Sequence, residues 1–385
     1  MISMRARTLA LALAAPVLGM PLSSQAVEFT AGDWTMNLGG IVNAYYTSTN
    51  CSGTQVGGIA LASKGLGCGG TDGRTTIGNG LLPNALITSV KTTQEGIDIG
   101  ATILIAVHTA TSSAVAENNN VDVRRAFFTA GNAETGTFKI GRDGGVFGDA
   151  AIFGDMTLLG AGAAVQATQR GRVTLGHIGA GYSYLGYYGQ LTYLSPSFNG
   201  FTVEGGVYSP VDGAATNSGK SPQAQLRGVY KFEGGKAWVA GKTQRFKSTG
   251  GEGSGDSFTM NAVEVGALGE IPGTGLGLMG NYQTGKGLGI LSEGDSGNAK
   301  QHNWITQATY KILPKLKAGI SYGESKLKDG AGTDFEKNTN GTLGAYYQLT
   351  KAVTLVGEIG RTESKAFDGG KAKMNGGSVG AILFF

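Results

Sequence analysis

Proline, cysteine, histidine and long apolar runs are all scarce in this sequence. Its 385 residues include 8 Pro, 2 Cys and 3 His. The histidines, His108, His177 and His302, do not have the spacing of a metal site. Beyond the N-terminal segment, no stretch approaches the roughly 18 continuous apolar residues that a membrane-spanning helix needs. We therefore expect no helical membrane protein, no metal site and no cofactor.

The residues that are present point to many strands and tight turns. Gly is abundant, at 68 residues, without the G-X-Y repeat of collagen. The low Pro content and the recurrent Tyr, Val, Leu and Phe argue against disorder. Lys and Arg total 31 against 27 Asp and Glu. This balance is too even for a nucleic-acid binder, and we expect no nucleic-acid partner.

The first 26 residues have the pattern of a secretory signal peptide. Arg5 and Arg7 precede an apolar run, and small residues lead to Ala26. Pro16 and Pro21 interrupt the run, which argues against a membrane anchor. We predict cleavage after Ala26 and a mature chain of residues 27–385.

The only two cysteines lie in one Gly-rich stretch. They are Cys51 and Cys68. Because an exported protein matures in an oxidising compartment, a disulfide between them is favoured over two free thiols.

Apolar residues in the rest of the chain recur with a period of two. From Val353 to Ile359, apolar positions alternate with a mixed face, which is typical of β-strands with one apolar side. About sixteen such segments are predicted: 34–46, 85–93, 97–110, 121–131, 136–142, 182–193, 201–208, 222–232, 236–247, 257–268, 276–287, 301–311, 316–326, 339–349, 353–365 and 374–385.

Short and long connections alternate between these segments, and this favours a transmembrane barrel. In lipid a sheet must close on itself, with short periplasmic turns and longer external loops. A soluble two-sheet sandwich is the alternative. Candidate aromatic girdles are Tyr45, Tyr46, Tyr230, Trp304, Tyr310, Tyr322 and Tyr347. In the last segment apolar positions alternate along the strand, and the segment ends in the aromatic residue Phe385. We assign Phe385 a role in barrel assembly.

Four stretches resemble the trimeric sixteen-strand porins of the neisserial and betaproteobacterial type. They are 124–131 (RRAFFTAG), 136–142 (GTFKIGR), 193–201 (YLSPSFNGF) and the terminal Phe385. The resemblance implies an all-β outer-membrane barrel of a Gram-negative bacterium that assembles as a homotrimer. Its partners would be outer-membrane lipid, small hydrophilic solutes and ions.

The resemblance also implies one inward-folded constriction loop after the fifth strand, here 143–170. Acidic residues on such a loop, facing basic residues of the wall, would bias which ions pass. The candidates for the pore constriction are Asp149, Asp155, Arg124, Lys139, Arg142, Arg170 and Arg172. The lumen wall would add Arg227, Lys231, Lys242 and Lys317. Each could instead be a solvated loop or rim charge.

The expected function is passive diffusion of small hydrophilic solutes and ions, selected by pore size and constriction charge. The stretch 84–91 has no arginine where the family commonly has one, so the sign of ion selectivity is left open. The alternatives are a substrate-specific channel and a non-channel barrel that serves as an adhesin or structural anchor. An enzyme is not expected, because GLGLMG at 275–280 and GISYG at 319–323 lie in strands without the helix that their motifs require.

Overall fold

The computed structural model describes residues 26–109, 121–162, 174–213, 216–218, 220–249, 257–329 and 334–385. The strands within these residues are β1 Val27–Ala31, β2 Trp34–Gly53, β3 Gly73–Gly78, β4 Asn84–Gln94, β5 Ile97–Val107, β6 Val121–Asn132, β7 Gly136–Gly144, β8 Tyr187–Leu194, β9 Phe201–Tyr208, β10 Thr216–Ser218, β11 Gln223–Phe232, β12 Gly235–Ser248, β13 Ser257–Glu270, β14 Leu276–Lys286, β15 Lys300–Leu313, β16 Leu316–Leu327, β17 Phe335–Gln348, β18 Val353–Ala366 and β19 Lys371–Phe384.

Sixteen of these strands close into one antiparallel barrel, as predicted. Each barrel strand pairs with its neighbours along the chain, and β19 pairs with β2 to complete the ring. The C-terminal Phe385 exchanges two backbone hydrogen bonds with Gly40 at this seam. The short strands β1, β3 and β10 are additions, and β1 pairs with the first residues of β2.

The two faces of the barrel explain the alternation in the sequence. Ile320 and Val239 are 60% and 58% exposed on the outer face, where lipid would cover them. On the inner face Gln283 and Asn338 are buried and hydrogen-bonded. Apolar residues point outward because the surrounding solvent is hydrocarbon.

Glycine permits a two-residue periplasmic turn between β4 and β5. Gln94 pairs with Ile97, so only Glu95 and Gly96 connect β4 to β5. Both have positive φ, 51° and 78°, as a type I′ hairpin turn requires.

The strand limits differ from the predicted ones at two places that matter for the site. Residues 182–186, predicted to start a strand, belong to the loop before β8. Tyr45, predicted in a girdle, is buried on the inner face and donates a hydrogen bond to the Leu159 carbonyl. The prediction for Tyr45 was wrong because its neighbour Tyr46 already points outward, and adjacent strand residues face opposite sides.

Helical structure is confined to the connections. The described helices are α1 Lys64–Cys68, α2 Asp149–Gly154 and a 3-10 helix Met156–Leu159. No helix among the described residues has the length and apolar content to span a membrane. The predicted disulfide between Cys51 and Cys68 is confirmed and joins the end of β2 to the end of α1.

Among the described residues, several connections reach the inner wall, where the sequence predicted one. The loop after β7 is the longest of them. In the loop after β2, the Leu61 amide donates to Asn338 Oδ1 at 3.1 Å and the Ala62 amide to Ser364 Oγ at 2.9 Å. In the loop after β14, Glu293 forms an ion pair with Lys242 of β12.

Candidate channel constriction

The loop between β7 and β8, residues 145–186, is called the inner loop below. Its described parts, 145–162 and 174–186, lie against the wall of β11–β18. The Gly148 amide donates to Glu264 Oε2 at 2.6 Å. Farther along, the Ala161 and Gly162 amides both donate to Glu358 Oε2, at 2.8 and 2.7 Å. Wall carboxylates therefore bind the backbone of the loop.

Amide and hydroxyl side chains of the wall bind the loop between and beyond these carboxylates. Gln307 accepts from the Met156 amide at 2.9 Å and donates to the Gly154 carbonyl at 2.7 Å. On the return path, the Gly181 amide donates to Ser325 Oγ at 3.0 Å and Asn338 Nδ2 donates to the Gly179 carbonyl at 3.0 Å. The side chains of β13–β18 that bind the loop backbone are called the anchoring wall: Glu264, Gln283, Gln307, Ser325, Asn338 and Glu358.

Two Phe-Gly-Asp units stand in the inner loop, and their aspartates have different surroundings. Asp149 is the first residue of α2 and forms an ion pair with Arg227 of β11. Asp149 was expected to face the basic wall from across the lumen. It instead contacts the wall directly through this ion pair.

Asp155, the second aspartate, is fully buried within the loop. It caps the 3-10 helix by accepting from the Thr157 amide at 2.9 Å, and its other oxygen accepts from Tyr182 at 2.7 Å and contacts His177 Nδ1 at 3.2 Å. Burial alone raises the pKa of Asp155, but His177 and these hydrogen bonds outweigh burial and lower it. Burial and the Asp155 charge raise the pKa of Tyr182, so its hydroxyl remains a donor.

The opposite part of the inner wall has a continuous series of alternating charges, called the charge ladder below. Its members, in spatial order, are Arg125, Asp143, Lys139, Glu204, Arg227 and Asp149. Successive contacts measure 2.6 Å from Arg125 to Asp143, 2.9 Å from Asp143 to Lys139, 3.2 Å from Lys139 to Glu204 and 2.8 Å from Glu204 to Arg227. Three cations and three anions leave the ladder without net charge.

A β-bulge places two adjacent arginines on the inner side. Leu104 pairs with Arg125 and Ile105 with Val123, so Arg124 has no partner across the strand pair. Both arginine side chains are buried. Arg124 forms an ion pair with Asp122 at 2.7 Å and lies 5.5 Å from the centre of the Tyr187 ring.

A narrow cavity of about 50 Å³ separates the inner loop from the wall of β2–β6. Arg124 and Arg125 supply its charged lining, with Tyr184 and Tyr187 beside them. Ile152, Phe153 and Leu158 of the inner loop form the facing side. Aspartate and glutamate are absent from the described lining. The cavity therefore has two guanidinium groups on one side and apolar carbon on the other.

Comparison with known proteins assigns the family. The model of the Gram-negative porin family matches residues 8–366. The chain belongs to this porin family. It is an outer-membrane channel for passive diffusion. No curated protein matches the sequence.

Solved porin-like structures share the fold of this porin at low sequence identity. The outer-membrane channel DcaP of Acinetobacter baumannii has a TM-score of 0.68 at 18% identity, with 93% of this chain and 99% of that one covered. OmpF of Salmonella typhi in complex with daunomycin has a TM-score of 0.62 at 16% identity, covering 93% and 100%. OmpT of Vibrio cholerae, in a trimer form, has a TM-score of 0.57 at 15% identity, covering 91% and 99%.

The remaining predicted site residues of the porin are dispersed. Arg142 is exposed on the outer face, and its Nε donates to the Val123 carbonyl at 3.1 Å. Lys242 is buried against Glu293 and Tyr188. Lys317 lies half-buried over the Tyr346 ring, and Lys231 is exposed at the periplasmic end of β11. Arg170 and Arg172 lie outside the described residues.

Sequence reasoning missed two of the three anions of the charge ladder, Asp143 and Glu204. Asp143 shares the inner face with Lys139, four residues before it, and Glu204 stands opposite Arg227 in the register of β9 and β11. Strand parity could have identified both residues. The pairing of Arg227 with a loop residue, Asp149, depends on the course of the loop, which parity does not determine.

Proposed function

We propose that solutes pass between the inner loop and the wall of β2–β6, at the cavity lined by Arg124 and Arg125. The observation that carries the proposal is the bulge, which places both guanidinium groups at this cavity, while their carboxylate partners, Asp122 and Asp143, do not line it. A permeating ion therefore meets positive charge first. We infer a modest preference for small anions and non-enzymatic transport.

The reversal potential across a salt gradient tests this proposal. Wild type is expected to favour chloride over potassium, and Arg124→Gln with Arg125→Gln is expected to reduce that preference. Arg361→Gln is the matched control, since Arg361 lies on the outer face, 54% exposed. A strongly cation-selective wild type, or equal shifts in both variants, would show that the two arginines do not control permeation.

The charge ladder and the remaining cavity lining support selection by size and charge together. Glu204 and Asp149 neutralise Lys139 and Arg227, so these four residues contribute a transverse field more than a net charge. The aromatic lining by Tyr184 and Tyr187 also favours a second candidate, a channel that prefers anions with an apolar body. Competition of benzoate with chloride for conduction would distinguish this from general diffusion.

We further propose that the channel assembles as a homotrimer. Arg142 lies on the outer face beside Val123, which stands opposite Ile105 in the neighbouring strand, and both are exposed apolar residues. An arginine facing lipid there would be destabilising, whereas a protomer interface could satisfy it. The trimer form of OmpT from Vibrio cholerae supports the same expectation. Native mass spectrometry in detergent would test it, and a monomeric mass would contradict it.

A further inference from the structure

Three lysines form an unpaired row on the outer face of the barrel. Lys286 of β14 stands directly opposite Lys300 of β15. The Lys328 amide, just after β16, donates to the Lys300 carbonyl at 2.8 Å. Like charges opposite one another destabilise a sheet. Within the described part of the chain, none of the three forms an ion pair, so the row lacks a counter-charge.

The unpaired row, Lys286, Lys300 and Lys328, lies at the external edge of the membrane-facing surface. Lys286 has the same parity as the exposed Tyr282, and Lys300 the same parity as Trp304. The alternate residues, such as Gln283, face the lumen. Each lysine lies beyond the aromatic residues, towards the external loops. Lipid headgroups of the outer leaflet lie at this level.

A groove of about 680 Å³ adjoins the row on this outer face. Its floor includes the exposed Leu226 and Val263, and its sides include polar residues of three strands. These polar residues are Thr243, Asn261 and Thr284. Gly241 leaves the groove open, because a Cβ there would meet only the Ala262 carbonyl, at 3.8 Å. The groove therefore joins an apolar surface to a cationic end.

A second row of three lysines on the same rim has its counter-charges built in. This paired row is Lys326, Lys337 and Lys365 on β16, β17 and β18. Glu336, placed by a bulge, contacts Lys326 at 3.1 Å and Lys365 at 2.7 Å. Glu324 contacts Lys337 at 2.6 Å. The paired row has carboxylate partners and the unpaired row has none among the described residues. This difference indicates that the unpaired row obtains its anion from outside the described chain.

We propose that the groove binds a phosphate-bearing lipid of the outer leaflet. The phosphate lies among Lys286, Lys300 and Lys328, and an acyl chain lies over Leu226 and Val263. Lysine ammonium groups bind phosphate as point charges, and basic clusters next to the apolar belt attract anionic headgroups. Thr243, Asn261 and Thr284 supply hydrogen bonds to the remainder of the headgroup. The proposal depends on the outer-membrane location and not on the selectivity of the pore.

Binding of purified lipid A with both phosphates tests the proposal, by native mass spectrometry of the intact protein in detergent. The triple variant Lys286→Ala, Lys300→Ala and Lys328→Ala is expected to bind on the order of 10- to 100-fold more weakly. The matched control replaces Lys326, Lys337 and Lys365 by Ala, so it removes the same charge from the same rim. It is expected to bind as wild type does. Equal losses in the two variants would overturn the proposal in favour of diffuse attraction.

Two further experiments distinguish the contribution of the phosphate groups to binding from that of the groove. Lipid A treated with phosphatase is expected to bind wild type as weakly as intact lipid A binds the triple variant. Gly241→Leu fills the groove without removing charge and is expected to weaken lipid binding while leaving conductance unchanged. If inorganic phosphate at millimolar concentration displaced the lipid completely, or if Gly241→Leu bound normally, the site would be a simple anion site and the lipid assignment would be wrong.

Discussion

The two sides of the inner wall use buried polar residues for different purposes. On β6–β11, charged side chains pair with one another to form the charge ladder, and only Asp149 comes from the inner loop. On the anchoring wall of β13–β18, Glu264 and Glu358 accept hydrogen bonds from backbone amides of that loop. With the proposed solute path, one side contributes charge to the passage, while the other holds most of the loop backbone.

This division separates stability of the loop from selectivity of the pore. A buried carboxylate that accepts two amide hydrogen bonds strongly favours one loop position, because its loss leaves the donors unsatisfied. A carboxylate paired with lysine and arginine, such as Glu204, changes the local field when removed and leaves the loop attached elsewhere. Substitutions on the two sides should therefore alter different measurements.

The largest effect is expected from Glu358→Ala. The change leaves the Ala161 and Gly162 amides and the Tyr346 hydroxyl without their acceptor, at a cost of about 1–3 kcal/mol for each buried donor. The inner loop should detach from β18, and single-channel conductance should rise and become noisy. Glu363→Ala, on the outer face of the same strand, is the control. Unchanged conductance in Glu358→Ala would show that the loop is held without this anchor.

Asp155→Asn should give the next largest effect, on stability. A carboxyl whose pKa is lowered on folding stabilises the protein above its ordinary pKa of about 3.9, and this contribution is lost as pH falls through the lower folded value. Wild type should therefore exceed Asp155→Asn in unfolding temperature at pH 7, and the difference should shrink below pH 4. A difference that is constant with pH would assign the effect to packing.

The barrel itself was predictable from strand parity and connection lengths, because lipid imposes the same constraint on every strand. The bulge at Arg124 was not, because it breaks parity at one residue. The different surroundings of Asp149 and Asp155 were also not predictable, since both follow Phe-Gly in the sequence. Their contacts, Arg227 and His177, are distant along the chain and are brought together only by the course of the inner loop.

Removing a cation or an anion from the charge ladder should have a smaller effect, and this effect is on ion selectivity. Arg227→Gln leaves Asp149 and Glu204 in excess and should shift the reversal potential towards cations. Glu204→Gln should shift it towards anions. One charge at 4 Å in water contributes about 1 kcal/mol, so permeability ratios should change by no more than about fivefold. Shifts of the same sign in both variants would contradict a field set by the ladder.

The smallest effect on conduction is expected from removing the disulfide. In Cys51→Ser with Cys68→Ser, the loop after β2 should stay at the inner wall. It remains bound there through hydrogen bonds from the Leu61 amide to Asn338 and from the Ala62 amide to Ser364. The disulfide acts mainly on the unfolded chain, where closing a loop of this size contributes about 3 kcal/mol. Conductance should therefore match wild type with and without reductant, while the midpoint of urea unfolding falls. A change in conductance would show that the disulfide, and not the hydrogen bonds to Asn338 and Ser364, keeps this loop at the wall.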